Sequence, residues 1–283
     1  VIDRYAVVGH PVAHSRSPWI HARFAAQTGE RLRYEAIEAP PGGFAETVAA
    51  FLDAGGRGLN VTVPFKGEAC ALAATLSPRA RRAGAVNTLR VEADGSLLGD
   101  NTDGVGLLRD LRRNHRLAVA GARLLLLGAG GAARGILAPL LAERPACLLI
   151  ANRSAARAAA LAEAFADLGP VAACGLEEIP PRPWDLVINA TAASLHGAVP
   201  ALPEGLVGPG TCCYDLVYAA GGETPFCAWA AAAGAARALD GLGMLVEQAA
   251  ESFALWRGVR PSAAPVIAEL RALLAGRREK PLR

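Results

Sequence analysis

The chain's two lysines are Lys66 and Lys280; every other one of its 29 basic residues is Arg. Arg keeps its charge inside a protein, whereas a partly buried Lys can have its pKa lowered and can pass a proton. Lys66 closes Asn60-Val-Thr-Val-Pro-Phe-Lys66, which makes it a candidate acid/base group, although composition alone leaves chance placement equally open. Gly84-Ala-Val-Asn87-Thr88 adds an amide, and Asp100-Asn-Thr-Asp103-Gly104 adds an acid beside a flexible Gly. Taken alone, Asp103 reads as the cap of the helix that follows. Together, Asn60, Thr62, Lys66, Asn87 and Asp103 make a Lys–carboxylate pair ringed by neutral hydrogen-bonding groups, a set suited to a polyhydroxylated substrate. Upstream, Gly9-His-Pro-Val-Ala-His-Ser15-Arg-Ser17-Pro18 offers two hydroxyls ahead of a helix N-terminus, which suits a carboxylate or phosphate. Ser17 also reads as the cap of that helix, with Pro18 in its first turn.

A second chemistry lies further along. Gly128-x-Gly130-x-x-Ala133 follows the apolar run Arg123-Leu-Leu-Leu-Leu127 and opens a helix. In that context the first Gly permits a tight turn, the second lets the backbone approach a pyrophosphate, and the small third residue lets helix and strand pack closely. The next strand ends at Asn152-Arg153-Ser154, where an NAD site usually carries Asp or Glu for the ribose hydroxyls. Arg153 stands there instead, with Arg157 one helical turn on. Two guanidiniums match the 2′-phosphate of NADP.

Elements that would position these groups alternate between strand and helix. Strands are expected at Tyr5–Gly9, Leu32–Glu38, Gly58–Thr62, Ala85–Val91 and Ser96–Gly99, with helices from Ser17, over Phe44–Ala54, over Glu68–Leu76 and over Gly104–His115. A second series of strands follows at 123–127, 146–151, 184–189 and 211–217. Helices are expected from 131 to about 141, over 155–168, 225–234 and 242–256, and over 266–274. Repeated βα units imply two α/β domains: residues 1–104, completed by C-terminal helices at about 238–283, and a Rossmann-like unit at 105–237.

A hydrophobic fraction of 52% supports a sizeable core, and the net charge of +3 is small for 283 residues. No basic block interleaves with aromatic residues, which argues against nucleic acid. The run Arg277-Arg278-Glu279-Lys280 reads as a solvated terminus. Six cysteines form no Cys-x-x-Cys pair, so reduced thiols and no metal are expected. Neither a signal-peptide pattern nor a membrane-length apolar run is present, and a cytoplasmic protein is expected.

At this point the segments GHPVAHSRSPWIH, NVTVPFKGEA, GAVNTL, LLGDNTDGVG, LLLLGAGGAAR, ANRS, VINAT, CYDLVY and DGLGMLVEQAA resemble, in order, the signature of the shikimate dehydrogenase family, from residue 9 to about 250. The resemblance implies NADPH-dependent reduction of 3-dehydroshikimate to shikimate in aromatic amino-acid biosynthesis. It implies an N-terminal substrate domain, a dinucleotide domain and an active site in the cleft between them. It assigns catalysis to Lys66 with Asp103, and the substrate carboxylate to Ser15 and Ser17. The ring hydroxyls fall to Asn60, Thr62, Asn87, Asp103, Tyr218 and Gln248. Cofactor contacts fall to Gly128, Ala129, Gly130, Gly131, Ala132, Asn152, Arg153, Ser154, Arg157, Thr191, Leu216 and Gly241. The expected partner is the small-molecule substrate, with a homodimer as candidate assembly and neither nucleic acid nor membrane.

One stretch departs from the family pattern. Members often read Asn-Ala-Thr-Ser-x-Gly; here the chain reads Asn189-Ala-Thr191-Ala192-Ala193-Ser194. Catalysis is expected to survive, because no proton-transfer residue is involved, while cofactor affinity and substrate preference stay open. His196 reads as an exposed loop residue that nothing pairs. The alternatives are a quinate/shikimate dehydrogenase, a paralogue acting on a shikimate-like substrate, and a non-catalytic cofactor sensor. The last predicts decay of the Lys66/Asp103 pair, and both residues are present.

Overall fold

The computed structural model describes residues 2–219 and 223–276. The Arg277–Lys280 run lies outside the described residues. The chain divides into two compact units, Val1–Leu107 with Val246–Val266, and Leu108–Leu245 with Ile267–Arg283. The return to the first unit is thus shorter than the 238–283 span expected from the sequence.

Unit 1 is built on a mixed six-stranded sheet. Its strands are β1 (Asp3–Gly9), β2 (Leu32–Glu38), β3 (Gly56–Val61), β4 (Thr75–Leu76), β5 (Thr88–Val91) and β6 (Leu97–Asp100), in the order β2-β1-β3-β5-β6-β4. β1 pairs in parallel with β2 and β3, while β5 runs antiparallel to β3 and β6. The apolar middle of β1 is buried on both faces, as a central parallel strand requires. Helices α1 (Ser17–Thr28), α2 (Phe44–Asp53), α3 (Lys66–Leu72), α4 (Pro78–Ala83) and α5 (Asp103–Arg109) connect the strands. Ala6, Val8, Phe44, Val48, Leu59, Phe65 and Leu89 form the core beneath them.

Several elements here differ from expectation. The single helix expected over Glu68–Leu76 ends at Leu72, because Ala73 turns extended; β4 and α4 follow. α4 has no apolar period to betray it and is held by its ends: Ser77 caps it by accepting from the Ala80 N–H, and Gly84 closes it in the left-handed conformation. The cap assigned to Ser17 is also corrected. Arg16 occupies the N-cap position of α1 without a side-chain cap bond, and Ser17 is the first helical residue. The helix expected over Gly104–His115 starts at Asp103 and passes into a π-turn at Asp110–Asn114.

Unit 2 carries an all-parallel sheet of β7 (Arg123–Leu127), β8 (Cys147–Asn152), β9 (Val171–Gly175), β10 (Leu186–Asn189), β11 (Cys212–Asp215) and β12 (Arg237–Leu239), in the order β12-β11-β10-β7-β8-β9. This is the doubly wound Rossmann order, whose strand direction of growth reverses between β7 and β10; ligands bind beyond the strand ends at such a switch point. Helices α6 (Gly131–Ala142), α7 (Ala155–Phe165) and α8 (Pro225–Ala232) belong to this unit, and α9 (Leu242–Arg257) and α10 (Ala263–Gly276) follow. Leu124 to Leu127 are all buried. β9 and β12 escape a reading of the sequence because both are short edge strands, one built of Val-Ala-Ala-Cys-Gly and the other trailing an Ala-rich helix. No described helix is long and apolar enough to cross a membrane.

Candidate active site

In unit 1 the strand ends and helix starts converge on one polar cluster. Burial of Phe65, stacked on Phe44 at 5.1 Å, fixes the start of α3 and so the root of Lys66. The Lys66 carbonyl is held by the Val86 N–H. Lys66 Nζ donates to Asp103 Oδ2 at 2.5 Å, with side-chain exposures of 18% and 8%. Asp103 Oδ1 accepts from Asn87 Nδ2 at 2.8 Å. Each carboxylate oxygen is thus claimed, while an ammonium has three donors. Two N–H groups of Lys66 have no partner among the described residues and remain for a ligand.

A buried network forms the wall behind this pair. Asn60 Nδ2 donates toward the Asn87 carbonyl, Thr88 Oγ1 and Ser252 Oγ at 3.0–3.2 Å, and Asn60 Oδ1 accepts from Tyr34 at 2.7 Å. Thr102 joins Asn87, Ser252 and Gln248. Gly106 is what lets Gln248 come so close: a Cβ there would meet the Gln248 backbone nitrogen at 2.8 Å. Tyr34 also bonds Ser17, whose N–H donates to Ser15 Oγ at 3.2 Å. His21 lies parallel to Tyr34 at 4.2 Å, and burial pushes its pKa down to about 3, so the imidazole is neutral. Thr62 sits one residue beyond β3, its N–H bonded to the Val8 carbonyl. The structure therefore gathers Ser15, Ser17, Asn60, Lys66, Asn87, Asp103 and Gln248 through one chain of hydrogen bonds. Tyr218 belongs to unit 2, in the segment after β11.

Unit 2 presents its site at the strand ends. Gly128 adopts φ +106°, and a Cβ there would press on the Ala190 backbone at 3.1 Å, so only Gly serves. Around Gly130 and Gly131 nothing lies within 4 Å of where a Cβ would stand. The turn is therefore an open cradle at the N-terminus of α6, as a pyrophosphate needs. Beside it a cleft of about 830 Å³ is lined by Asn152, Arg153, Thr191 and Ala193, among others. Ser154 caps α7, accepting from the Arg157 N–H at 3.4 Å. Leu216 and Gly241 meet closely: a Cβ at Gly241 would lie 2.3 Å from the Leu216 carbonyl. Arg157 is exposed on the first turn of α7.

The chain matches the family descriptions "Shikimate dehydrogenase substrate binding domain" over residues 7–89, "Shikimate / quinate 5-dehydrogenase" over 111–197 and "Shikimate 5'-dehydrogenase C-terminal domain" over 241–271. It is 60% identical to the shikimate dehydrogenase (NADP(+)) of Methylococcus capsulatus over 95% of this chain and 96% of that one. This chain belongs to the shikimate dehydrogenase family. Among solved structures it resembles the Ael1 enzyme of Pseudomonas putida, with TM-score 0.88, 45% identity, and 95% and 98% of the two chains covered. It also resembles shikimate 5-dehydrogenase of Thermus thermophilus solved with NADP(H) and shikimate, with TM-score 0.82, 37% identity, and 96% and 99% covered.

Ser194, in the loop that departs from the usual shikimate dehydrogenase pattern, has a clear role. Ser194 Oγ donates to Asp215 Oδ2 at 2.6 Å and is buried. Asp215 also accepts from Thr224, from Asn189 and from the Val217 N–H. Burial pushes the Asp215 carboxyl up, and these hydrogen bonds do not fully offset it. Asn189 Oδ1 in turn receives both the N–H and the hydroxyl of Thr191. Sequence reasoning missed Tyr34, Thr88, Thr102 and Ser252. Ser252 had a signal, lying one helical turn after Gln248 on the same face of α9; Tyr34 had none.

Proposed function

We propose that this chain catalyses the reversible, NADPH-dependent reduction of 3-dehydroshikimate to shikimate, a step in aromatic amino-acid biosynthesis. The observation that carries the reading is the Lys66–Asp103 pair at 2.5 Å, set on a wall of neutral amides and hydroxyls in a chain of this family. The Gly128–Ala132 turn would hold the cofactor's pyrophosphate, and Asn152, Arg153 and Ser154 its adenosine end, with Thr191, Leu216 and Gly241 bordering it. NADPH, when bound, supplies the hydride for the ketone carbon.

The chain's own residues do the rest. As the ketone becomes an alcohol, negative charge grows on its oxygen. Lys66 stabilises that charge and delivers the proton through an N–H that Asp103 leaves free. Asp103 aims the ammonium and accepts from a ring hydroxyl. Asn87 and Gln248 hold neighbouring hydroxyls, with Thr62 beside them. Ser15 and Ser17 receive the carboxylate ahead of α1. Asn60 and Asn87 each have both ends of the amide engaged by protein groups, so both also hold the wall in register.

The test is NADP reduction followed at 340 nm with shikimate and with quinate, each repeated with NAD. Turnover of shikimate with NADP should exceed the other three combinations. Faster turnover of quinate would move the substrate assignment to the quinate paralogues, and faster turnover with NAD would defeat the cofactor assignment.

A further inference from the structure

We infer that Asp110 is a positioning residue for the nicotinamide end of NADP, fixing from beneath the two segments that border that ring. The inference rests on the NADP reading above. With the pyrophosphate at the turn after β7 and the adenosine end over β8, the other half of a dinucleotide falls on the β10–β11–β12 side of the sheet. Leu216 follows β11, and Gly241 follows β12. The two segments are tied where they meet. The Gly241 N–H donates to the Val217 carbonyl at 3.0 Å, and a side chain at Gly241 would strike the Leu216 carbonyl.

Both segments lead back to one buried carboxylate. Tyr214, two residues before Leu216, donates its hydroxyl to Asp110 Oδ2 at 2.7 Å. Gly243, two residues after Gly241, abuts the same carboxylate so closely that a Cβ there would collide with it. The Met244 N–H donates to the Tyr214 hydroxyl and closes the link. Asp110 is itself held from the other side. Asn114 Nδ2 donates to its Oδ1 at 2.8 Å, and His115 Nε2 lies 3.3 Å from its Oδ2. An Arg237 N–H faces His115 Nδ1 at 3.1 Å; a guanidinium only donates, so Nδ1 accepts and the ring proton sits on Nε2, toward Asp110. The π-turn at Asp110–Asn114 is what wraps these two donors onto the carboxylate that opens it. They and Tyr214 outweigh burial and hold the Asp110 carboxyl below its ordinary value, so it is charged. An apolar side chain would fill this space without the desolvation cost of a charge. Apolar packing is not directional, however, and would let the end of β11 slide against the 240–244 segment.

The experiment compares Asp110→Asn and Tyr214→Phe with the wild-type full chain. Asn at 110 keeps the shape but turns one acceptor into an N–H that faces donors. Phe at 214 removes only the hydroxyl, and it carries the test if the first variant folds poorly. Equilibrium binding is measured for NADPH and for 2′,5′-ADP, which lacks the nicotinamide half, and single-turnover hydride transfer is followed at 340 nm. NADPH should bind about three- to tenfold more weakly, the worth of one hydrogen bond. Binding of 2′,5′-ADP should change less than about twofold on the same scale. Hydride transfer should slow, because a misplaced ring leaves its reactive geometry. A merely structural loss would move both ligands alike, so equal changes for the two, including none, overturn the inference, as does an unchanged rate of hydride transfer. In either case the NADP reading stands if the wild type binds both ligands. A wild-type chain that binds neither overturns that reading and the inference with it.

Discussion

Replacing Lys66 separates charge from proton transfer, because the two functions have different costs in this structure. Lys66→Ala removes the ammonium 2.5 Å from Asp103 Oδ2 and leaves that carboxylate with the Asn87 amide. Asp103 is 6% exposed, so its charge is largely uncompensated once the partner is gone. Breaking a buried pair from one side costs about 3–5 kcal/mol. Because Lys66 is partly open to solvent, water can enter the vacated space, and about 2–3 kcal/mol is the better expectation. At about 2–4 °C per kcal/mol, that is a fall in Tm of roughly 5–10 °C. Lys66→Arg keeps a cation beside Asp103 and should recover most of that loss.

Turnover should not follow stability. Loss of a positioned general acid lowers kcat by about 10²–10⁴-fold. Arg holds its proton at neutral pH, so Lys66→Arg should stay near the Ala variant in kcat while resembling the wild type in Tm. KM for shikimate should move only a few-fold in either variant, since the other hydrogen-bonding groups remain. The assay is initial-rate NADP reduction on variants whose Tm has been measured. A Lys66→Arg enzyme with near-wild-type kcat would show that charge alone suffices and would refute the proton-donor role. A Lys66→Ala kcat within tenfold of wild type would refute any catalytic role.

Two further outcomes follow from packing and charge. Gly106→Ala places a Cβ within 2.7–2.9 Å of the Gln248 backbone and Cβ, so α9 must shift and carry Gln248 with it; steady-state kinetics should show KM for shikimate rising more than kcat falls, at a cost of about 1–3 kcal/mol for the overpacking. Burial pushes the Asp100 carboxyl up, but Arg79 and Ser77 outweigh it and leave the pKa below 3.8. Its stabilisation is therefore full above that value and is lost as pH falls through the lower folded value. Asp100→Asn should lower stability by about 2 kcal/mol or more at pH 7. The gap to wild type should close as both are unfolded at progressively lower pH, and a gap that widens in acid would refute the sign.

What the sequence made legible was chemistry carried by neighbours along the chain. Gly128, Gly130 and Ala133 declare a dinucleotide turn because the strand before and the helix after are contiguous with them. Lys66 and Asp103 stand out because lysine is so scarce and because an acid beside Gly104 begins a helix. The direction of a side chain from a helix's first turn is less legible. Arg153 lies before α7 and lines the cleft, whereas Arg157 is wound into the first turn of that helix and exposed, a difference of setting that two identical residue types do not announce. Contacts that depend on strand register were not legible at all. Tyr5 pairs with Tyr34 on one side and with Gly58 on the other, and from that register Tyr34 reaches Asn60 two residues further along β3. Nothing local to Tyr34 announces this. A slip of β2 by one residue would turn every side chain on it to the opposite face. Tyr34 would then leave both Ser17 and Asn60, and the amide that anchors the wall behind Lys66 would be free to rotate. The catalytic pair could be read from residue types, but the wall that holds it steady depends on the pairing of β1, β2 and β3.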